Sequence, residues 1–535
     1  MNINDKDKTM KKILVSFVVV FYCSSNFLFG QIKPENYNAK RLEWFNDAKF
    51  GLFVHWGLYA IPAGYWHGKA IPGPSEWIMY EGKIPVKDYE PLAKQFNPTQ
   101  FSSEKWAMLA KEAGMKYIVF TAKHCDGFAM YDSKTLAYNI VSATPFKRDV
   151  LKELESAAHN KGIKLGFYYS HNWDWHEPQA LGLENTWDFP DSKTKDQNIY
   201  FQNKALPQVK ELVSNYKPDL IWFDVPTTIK PEQSKAFLDT IRKYRPDCVI
   251  NDRIGNGLGD YLTPEQYIPA AGSKVIFESC MTLNDTWGYK VSDWNWKSAP
   301  KVIYNLVDVV SKGGNYLLNI GPDEKGNFPG EAVRILKEVG KWMEKNGESI
   351  YGTSGSAMGP LPFGTCTVKS EKLFFHVFNW PENGKLTLPG INCKVKNIYL
   401  LADKMKSPLK WQMSGTKDIV VQLNSTAIPA EILNDIDNVV VLEFTGSINY
   451  DMTQLLLGEG AATSFLPQNA QVSGDSVKYI FNDKWDETRG YITSNWSTTS
   501  DRLTWNYRSI TDGWFDVEIT YGTPPEVTGL SLIHI

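Results

Sequence analysis

Between about residues 40 and 345 the chain alternates short apolar runs with longer stretches of helical spacing. Short apolar runs bounded by turn residues are typical of buried strands, and apolar residues at three- and four-residue intervals indicate amphipathic helices. Strands are predicted to begin at Phe50, Tyr117, Lys164, Asp219, Cys248, Val275 and Asn315. The helical stretches are SEKWAMLAKEAG, RDVLKELESAAHNKG, KALPQVKELVSNY, EQSKAFLDTIRKY and APKVIYNLVDVVSKGG, several of which end at glycine, a common helix stop.

This alternation predicts right-handed β-α-β units around a parallel sheet. Seven strands within about 300 residues favour a (β/α)8-like TIM barrel over an open doubly wound sheet. No G-x-G-x-x-G or P-loop pattern follows any of the strands, so the sequence does not favour a nucleotide-binding fold.

The pattern of hydrophobic and polar residues changes after the predicted helix GEAVRILKEVGKWMEKNGESIYG, which ends near Gly352. Residues 355–448 carry short alternating runs such as LFFHVFNW and NVVVLEF, which predict an antiparallel β-sandwich. The remainder is rich in Ser, Thr, Asp and Trp, and its pattern stops at GLSLIHI without completing a domain. We therefore predict a catalytic barrel at 31–352, a β-sandwich at 353–448 and a further, incomplete β-rich module at 449–535.

The first 30 residues have the composition of a secretory signal peptide. Lys11 and Lys12 precede an apolar run at residues 13–22, and Gly30 ends a stretch suited to cleavage before Gln31. The run is too short to span a membrane. A lipoprotein signal needs a small residue before its cysteine, and Tyr22 precedes Cys23. The sequence thus predicts a secreted or periplasmic protein.

Composition narrows the range of partners. Of 535 residues, 43% are hydrophobic and 22% charged, and the net charge of −3 argues against nucleic acid or an anionic membrane as partner. The 19 Trp and 26 Tyr residues suit stacking on sugar faces, and a large core equally well. The six cysteines are widely spaced, without C-x-x-C or H-E-x-x-H patterns, so neither a disulfide framework nor a zinc site is indicated. Five lie beyond the leader, and at least one of them must be a free thiol.

Five polar residues stand at or near the ends of five successive predicted strands. They are His55, His124, Tyr168, Asp224 and Arg253. A single histidine is usually a core residue, and a single strand-end aspartate often caps a loop. In a parallel barrel, however, all five strand ends meet at one rim, where catalytic residues project. The set predicts a pocket for a small polyhydroxylated ligand.

Long stretches of the chain resemble one enzyme family. These stretches are WFNDAKFGLFVHWGLYAIP, SEWIMY, YIVFTAKHCDGF, KRDVLKEL, GFYYSHNWDW, DLIWFD, NDRIG, TPEQY, WGY and LVDVVSKGGNYLLNIGP. In this order, from about Trp44 to Gly352, they resemble glycoside hydrolase family 29, the retaining α-L-fucosidases. The resemblance implies a (β/α)8-like barrel followed by a β-sandwich, and an enzyme that removes terminal α-L-fucose from glycans.

The resemblance also implies roles for individual residues. Asp224 would be the nucleophile. The fucose pocket would be lined by His55, Glu76, Trp77, His124, Tyr168 and Arg253, with Trp287 as an aromatic wall. One position departs from the family, because many relatives have a second histidine where this chain has Cys125. Asp126 is interpreted as a turn acid beside Gly127.

The second carboxyl group of a retaining glycosidase should lie about 5–5.5 Å from the nucleophile. Glu265 in TPEQY is preferred as this acid/base, because some relatives have theirs at this place. Glu278 in VIFESC is the alternative, since burial beside aromatic residues would raise its pKa. Glu76 is the third candidate, and Asp174 in HNWDW is interpreted as a turn or rim residue.

The implied mechanism requires no metal and no cofactor, and the implied partners are fucosylated oligosaccharides or glycoconjugates. Two other hypotheses stay open from the sequence. One is a fucose-binding protein that has lost catalysis, which a missing carboxyl group would favour. The other is a metal-dependent hydrolase that uses His55, His124 and Asp224 as ligands, which a chelator would inactivate.

Overall fold

The computed structural model describes most of the chain from residue 39 onward. The described residues are 18–20, 39–269, 276–356, 358, 361–415, 417–423, 432–433, 436–450, 455–457, 470–482, 490–494, 498, 500–509 and 520–522. The predicted signal peptide lies outside them except for residues 18–20. Within the described ranges, no helix has the length and apolar character needed to cross a membrane.

Seven parallel strands form the central sheet. They are β1 (Phe50–Val54), β2 (Tyr117–Lys123), β3 (Lys164–Ser170), β4 (Leu220–Asp224), β5 (Val249–Ile250), β6 (Glu278–Thr282) and β7 (Asn315–Ile320). Their order is β5-β4-β3-β2-β1-β7-β6, and every neighbouring pair is parallel. All seven predicted strands are confirmed. Each ends toward the same edge, so their carboxyl ends meet.

Helices follow most of these strands. They are α1 (Ala39–Ala48), α2 (Ser103–Glu112), α3 (Val150–Asn160), α4 (residues 197–216, in which α and π turns alternate), α5 (Pro231–Tyr244), α6 (Ala299–Ser311) and α7 (Gly330–Asn346). Four begin at a side chain that accepts a backbone N–H of the first turn, namely Ser102, Asp149, Asp196 and Ser298. Such caps satisfy amide groups that have no partner within the helix.

The predicted eight-stranded barrel is found as a curled sheet of seven regular strands. Residues 260–266, between β5 and β6, run beside both edge strands without forming a strand of their own. On one side the amide of Asp252 donates to the carbonyl of Tyr261. On the other side the amide of Leu262 donates to the carbonyl of Ile276, and the amide of Cys280 to that of Pro264.

The two faces of the sheet carry different side chains because successive residues of a strand point to opposite sides. One face packs against the helices in a large apolar cluster that includes Ile118, Phe120, Phe223 and Ile250. The enclosed face has its own cluster. Its members include Phe53, Tyr117, Val119, Tyr168, Leu220, Trp222, Val249, Tyr261, Cys280 and Leu317. Asp224 has the same parity as Leu220 and Trp222, so it lies on the enclosed face at the carboxyl end.

An antiparallel β structure follows α7, as predicted for residues 355–448. Its strands are β8 (Ser354–Gly355), β9 (Gly364–Lys369), β10 (Lys372–Val377), β11 (Lys385–Leu388), β12 (Ile391–Leu400), β13 (Trp411–Ser414), β14 (Asp418–Gln422) and β15 (Asn438–Tyr450). They form two sheets, β8-β9-β10-β15-β12 and β11-β14-β13. A separate apolar core, which includes Phe375, Leu388, Val421 and Leu442, joins the two sheets.

Beyond residue 450 the described segments are short strands, which fits the predicted β-rich composition. They are Leu455–Leu457, Gln471–Ser473, Lys478–Asn482, Gly490–Ser494, Arg502–Thr504, Tyr507–Ser509 and Thr520–Gly522. The cysteines at 125, 248, 280, 366 and 393 are all free thiols. The described part of the chain therefore agrees with the prediction that no disulfide framework is present.

Candidate active site

The carboxylate of Asp224 is held by three donors at the end of β4. Oδ1 accepts from Arg253 Nη1 at 2.6 Å and from the amide of Val225 at 2.9 Å. Oδ2 accepts from the hydroxyl of Tyr168 at 2.9 Å. The side chain keeps 16% of its surface exposed. Because three donors fix both oxygens, this geometry suits a carboxylate that attacks a reactant from a fixed position.

The backbone is strained directly after this carboxylate. Val225 has a φ of 51°, in the left-handed region that β-branched residues rarely adopt. The amide of this same residue donates to Asp224 Oδ1. Strain of this kind costs of order 1–3 kcal/mol and concentrates at functional sites. The strained backbone beside Asp224 therefore fits a functional role that depends on the orientation of this carboxylate.

Arg253 links two carboxylates. The sequence predicted that it stands at the end of the fifth strand. It lies instead in the following 3-10 turn, Asp252–Ile254, because β5 already ends at Ile250. Nη1 contacts Asp224, and Nη2 contacts Glu265 Oε2 at 2.7 Å. Burial alone would lower the pKa of the guanidinium, but Glu265 and Asp224 outweigh it and raise this pKa well above its usual value. One guanidinium thus holds both carboxylates a short distance apart.

His55 is a neutral ring of defined tautomer. Burial and the adjacent ring of His124 lower its pKa well below the usual value. Its Nδ1 lies 2.7 Å from Asn319 Oδ1, and Asn319 Nδ2 donates to the carbonyl of Trp287 at 2.7 Å. Because the amide oxygen can only accept, Nδ1 carries the proton and Nε2 is left as an acceptor. The His55 and Trp287 ring centroids are 5.1 Å apart.

His124 follows β2 and stacks on Tyr168. The ring centroids are 5.2 Å apart and the planes differ by 6°. Burial, followed by the charge of Lys123, lowers the pKa of His124 to about 3. Its Nδ1 is buried, and the described residues provide it with no hydrogen-bond partner. Tyr168 itself lies two residues before the end of β3, and it joins this ring to Asp224.

Glu76 and Trp77 lie on a short turn, Ser75–Trp77, which packs against the loop after β6. Glu76 is 1% exposed, and its Oε2 accepts from the amide of Gly288 at 2.8 Å. Among the described residues its buried Oε1 has no donor. Burial raises the pKa of Glu76 to about 7, and the charge of Glu265 adds to the rise. Trp77 lies edge-on to Trp173 and Trp175 at 5.9 and 5.8 Å.

Glu278 lies at the other end of the sheet from Asp224. It is the first residue of β6, whereas Asp224 is the last residue of β4, and the two strands run parallel. Its carboxylate is fully buried and accepts from Tyr117 at 2.5 Å, Trp222 Nε1 at 2.9 Å and Tyr261 at 3.2 Å. Burial raises its pKa to about 7, as the sequence analysis anticipated. The structure therefore brings Glu265, and not this residue, to Arg253, which also contacts Asp224.

The position that departs from the family pattern is packed inside. The Sγ of Cys125 is 3.3 Å from Ser170 Oγ, and the residue is 1% exposed. The neighbouring Asp126 accepts from the amide of Phe128 at 3.3 Å, which fits the predicted turn acid. Burial raises the pKa of Asp126 to about 6.

Asp174, predicted to be a turn or rim residue, lies in the loop after β3 and accepts from the amide of His176 at 3.2 Å. Its side chain is completely buried between Lys123 and Lys204, with N–O distances of 2.8 and 3.0 Å. Burial alone would raise the pKa of Asp174, but the two lysines hold it below the usual value. The contact joins the end of β2, which precedes His124, to the loop that carries Trp173.

Sequence reasoning missed two residues that organise the site. Asn319 fixes the tautomer of His55, and Trp222 lies beneath Arg253 with the guanidinium 4.7 Å from its ring centroid. Asn319 could have been found, because it is a polar residue near the end of an apolar strand, as His55 is. Trp222 could not be distinguished from a core residue, since only the packing of several strands gives it this position. Within the described residues, no group of three His, Cys, Asp or Glu side chains could hold a metal ion.

Comparisons with known proteins agree with this geometry. The family described as "Alpha-L-fucosidase" matches residues 30–348. The human plasma alpha-L-fucosidase is 32% identical over 428 residues, which cover 74% of this chain and 88% of that protein. Among solved structures, an alpha-L-fucosidase from Vibrio sp. has a TM-score of 0.73 and 31% identity, with 83% of each chain covered.

Two further solved structures resemble shorter parts of the chain. Alpha-L-fucosidase isoenzyme 1 from Paenibacillus thiaminolyticus has a TM-score of 0.69 and 35% identity and covers 76% of this chain and 99% of its own. The Lactobacillus casei alpha-L-fucosidase AlfC, in complex with α-L-fucose product, has a TM-score of 0.56 and 40% identity. It covers 58% of this chain and 100% of its own. On these findings the chain belongs to the alpha-L-fucosidase family of glycoside hydrolases.

Proposed function

We propose that the protein is a retaining exo-α-L-fucosidase that hydrolyses terminal α-L-fucose by double displacement. The observation that carries the proposal is the guanidinium of Arg253, which contacts both Asp224 and Glu265. A retaining glycosidase needs two carboxyl groups about 5–5.5 Å apart, one as nucleophile and one as acid and then base. A shared guanidinium is compatible with such a separation.

Asp224 is the nucleophile in this mechanism. It attacks the anomeric carbon and forms a fucosyl-enzyme while the glycosidic oxygen leaves. The guanidinium of Arg253 and the hydroxyl of Tyr168 hold the carboxylate in position before the attack. Water then attacks the anomeric carbon from the side vacated by the leaving group, which releases fucose with its original configuration and restores Asp224.

Glu265 is the preferred acid/base. Its contact with Arg253, which also contacts Asp224, supports the assignment by proximity. Glu76 is the competing candidate, since its pKa of about 7 suits a proton donor near neutral pH. Glu278, the alternative from the sequence, is less suited to this role, because it begins β6 and its carboxylate is bound by Tyr117, Tyr261 and the indole of Trp222.

The fucose pocket is formed by polar rings and two tryptophans. Neutral His55 offers Nε2 as an acceptor for a sugar hydroxyl, and His124 and Glu76 each bring a buried polar atom that lacks a partner among the described residues. Trp287, beside His55, provides a flat apolar wall for the methyl side of fucose, and Trp77 closes another side. Buried polar atoms of this kind are costly unless a ligand satisfies them.

The finer organisation of the chain is also part of the proposal. Residues 260–266 act as an irregular eighth strand, since their backbone bonds to both edge strands would close the barrel. Residues 1–30 are a signal peptide that directs the enzyme to the periplasm or outside the cell. The catalytic unit spans 31–352, the β-sandwich 353–448 and a further β-rich module 449–535, and the substrates are fucosylated oligosaccharides or glycoconjugates.

Covalent trapping tests the nucleophile. Incubation with 2-fluoro-fucosyl fluoride should attach one fucosyl group to Asp224, located by mass spectrometry of the digested protein. Asp224→Gly should abolish hydrolysis of an aryl α-L-fucoside, and added azide should yield the β-fucosyl azide. NMR should show α-L-fucose as the first product. A label on another residue, or β-L-fucose as first product, would refute the mechanism, and fucose binding without turnover would favour a binding protein.

Three matched substitutions decide the acid/base, namely Glu265→Gln, Glu76→Gln and Glu278→Gln. The acid/base variant should hydrolyse aryl fucosides with good leaving groups far better than natural fucosides, because a good leaving group needs no proton. It should also accept azide to give the α-fucosyl azide. We expect this behaviour from Glu265→Gln alone, and the same behaviour from either other variant would transfer the role to that residue.

A further inference from the structure

The carboxylate of Glu278 has three donors but lies away from the reacting atoms. Its partners are Tyr117 and Tyr261 at the amino end of the sheet and the indole Nε1 of Trp222. Burying a carboxylate is costly, and three donors to one carboxylate at a fully buried position limit its rotation. Among the described residues, the hydroxyls of Tyr117 and Tyr261 donate to Glu278 and make no hydrogen bond to the proposed catalytic residues. The third, Trp222, connects Glu278 to the active site.

Trp222 contacts Glu278, at the amino end of the sheet, and also Arg253, near the carboxyl end. Its N–H bonds to Glu278 Oε1, while its ring lies 4.7 Å from the guanidinium carbon of Arg253. The same ring stacks on Tyr168, with centroids 5.6 Å apart and planes 21° from parallel. Rotation of a tryptophan about χ2 is only weakly restricted by the side chain itself. The hydrogen bond to Glu278 selects the one orientation in which the ring serves both neighbours.

Arg253 and Tyr168 are the two side chains that hold Asp224. Each reaches a different carboxylate oxygen, at 2.6 and 2.9 Å, and Arg253 also contacts Glu265. A cation over an indole face is attracted by the ring, so the orientation of Trp222 affects where the guanidinium rests. Small displacements of catalytic groups reduce rates strongly, because the reacting atoms must meet in a narrow geometry.

We propose that Glu278 is a positioning residue, which orients the indole of Trp222. The oriented indole in turn places Arg253 and Tyr168 so that they hold the two catalytic carboxylates in the geometry needed for the reaction. The inference rests on the proposed function and adds a role for the buried carboxylate at the far end of the sheet. Glu278 acts through Trp222 and transfers no proton to or from the substrate. Its carboxylate can be replaced by any group that accepts the indole N–H in the same place.

The test compares four variants by their rate of trapping with 2-fluoro-fucosyl fluoride and by kcat for a series of aryl α-L-fucosides. Trp222→Phe removes the N–H and keeps a ring, and Glu278→Ala removes the acceptor. Both should slow trapping about 10- to 100-fold, the loss expected for one hydrogen bond to a charged group. Glu278→Gln, which still accepts the N–H, should stay within about 10-fold of wild type. The matched control Tyr117→Phe removes another donor of Glu278 and should stay within about threefold.

Two readouts separate positioning from other roles. The slowing should be the same for good and poor leaving groups, since no proton transfer is affected. The double variant Glu278→Ala/Trp222→Phe should be no slower than Trp222→Phe alone, because both changes break one link. If Glu278→Ala does not fold, Trp222→Phe, Glu278→Gln and Tyr117→Phe still decide the matter.

Three results would overturn the inference. These are a Glu278→Gln variant impaired only with poor leaving groups, additive effects in the double variant, and a Trp222→Phe variant that is trapped as fast as wild type. Failure of the proposed function has a different signature. In that case the label on the wild-type enzyme is absent or lies away from Asp224, whatever the rates of these variants.

Discussion

The buried carboxyl group of Glu76 should make the stability of this protein depend on pH. The perturbation is Glu76→Gln, which keeps the shape of the protonated acid and removes its titration. Glu76 is 1% exposed and receives one hydrogen bond, from the amide of Gly288. Burial, opposed in part by this amide, raises its pKa from 4.5 to about 7.

The direction of the change in unfolding free energy with pH follows from which state, folded or unfolded, binds the Glu76 proton. Between pH 4.5 and 7 the folded protein keeps the Glu76 proton and the unfolded chain has lost it, so the free energy of unfolding falls as pH rises. The contribution is complete below pH 4.5 and lost above pH 7. At about 1.36 kcal/mol for each unit of pKa, the difference is about 3 kcal/mol. Glu76→Gln lacks this loss, so its stability relative to wild type should rise by about that amount from pH 4.5 to pH 8.

The assay is urea denaturation at half-unit intervals from pH 4.5 to 8.5, followed by tryptophan fluorescence. The quantity compared is the difference in free energy of unfolding between Glu76→Gln and wild type at each pH. Glu232→Gln, at an exposed position near the start of α5, serves as the matched control and should give a flat difference. A flat difference for Glu76→Gln as well would refute the reasoning, because it would mean that the group is not protonated preferentially in the folded state.

Three more predictions concern the site. Arg253→Lys should lower kcat/KM for an aryl α-L-fucoside about 10- to 100-fold, because lysine keeps the charge but cannot contact Asp224 and Glu265 together as the guanidinium does; wild-type kinetics would contradict this. Gly127→Ala should destabilise the protein by about 2–4 kcal/mol in urea denaturation. Its φ is 75°, and an added Cβ would lie 2.4 Å from the Oδ1 of Asp174, which two lysines hold in place; an unchanged midpoint would show that the loop yields freely. Dialysis against EDTA should leave fucosidase activity unchanged, whereas a loss reversed by zinc would support the metal-dependent alternative.

Local patterns in the amino-acid sequence were enough to predict the seven parallel strands, their helices and the antiparallel β structure that follows. These elements depend on local patterns, and the structure confirms each predicted strand from Phe50 to Ile320. The sequence also predicted that His55, His124, Tyr168, Asp224 and Arg253 meet, because parallel strands bring their carboxyl ends to one edge. The long motifs added the family, which the comparisons show.

The tertiary structure was needed to show which glutamate contacts Arg253. Glu265 and Glu278 are 13 positions apart, with Tyr267 two residues after the first and Phe277 directly before the second. Their surroundings depend on the sheet. Glu278 begins a strand and is enclosed at the amino end, whereas Glu265 lies in the segment that reaches Arg253. The burial of Asp174, the strain at Val225 and the position of Trp222 beneath Arg253 were equally hidden, because each depends on contacts between segments distant in sequence. The alternation of residues along a strand specifies which face of the sheet a side chain lies on. The packing of several strands specifies which other side chains it contacts there.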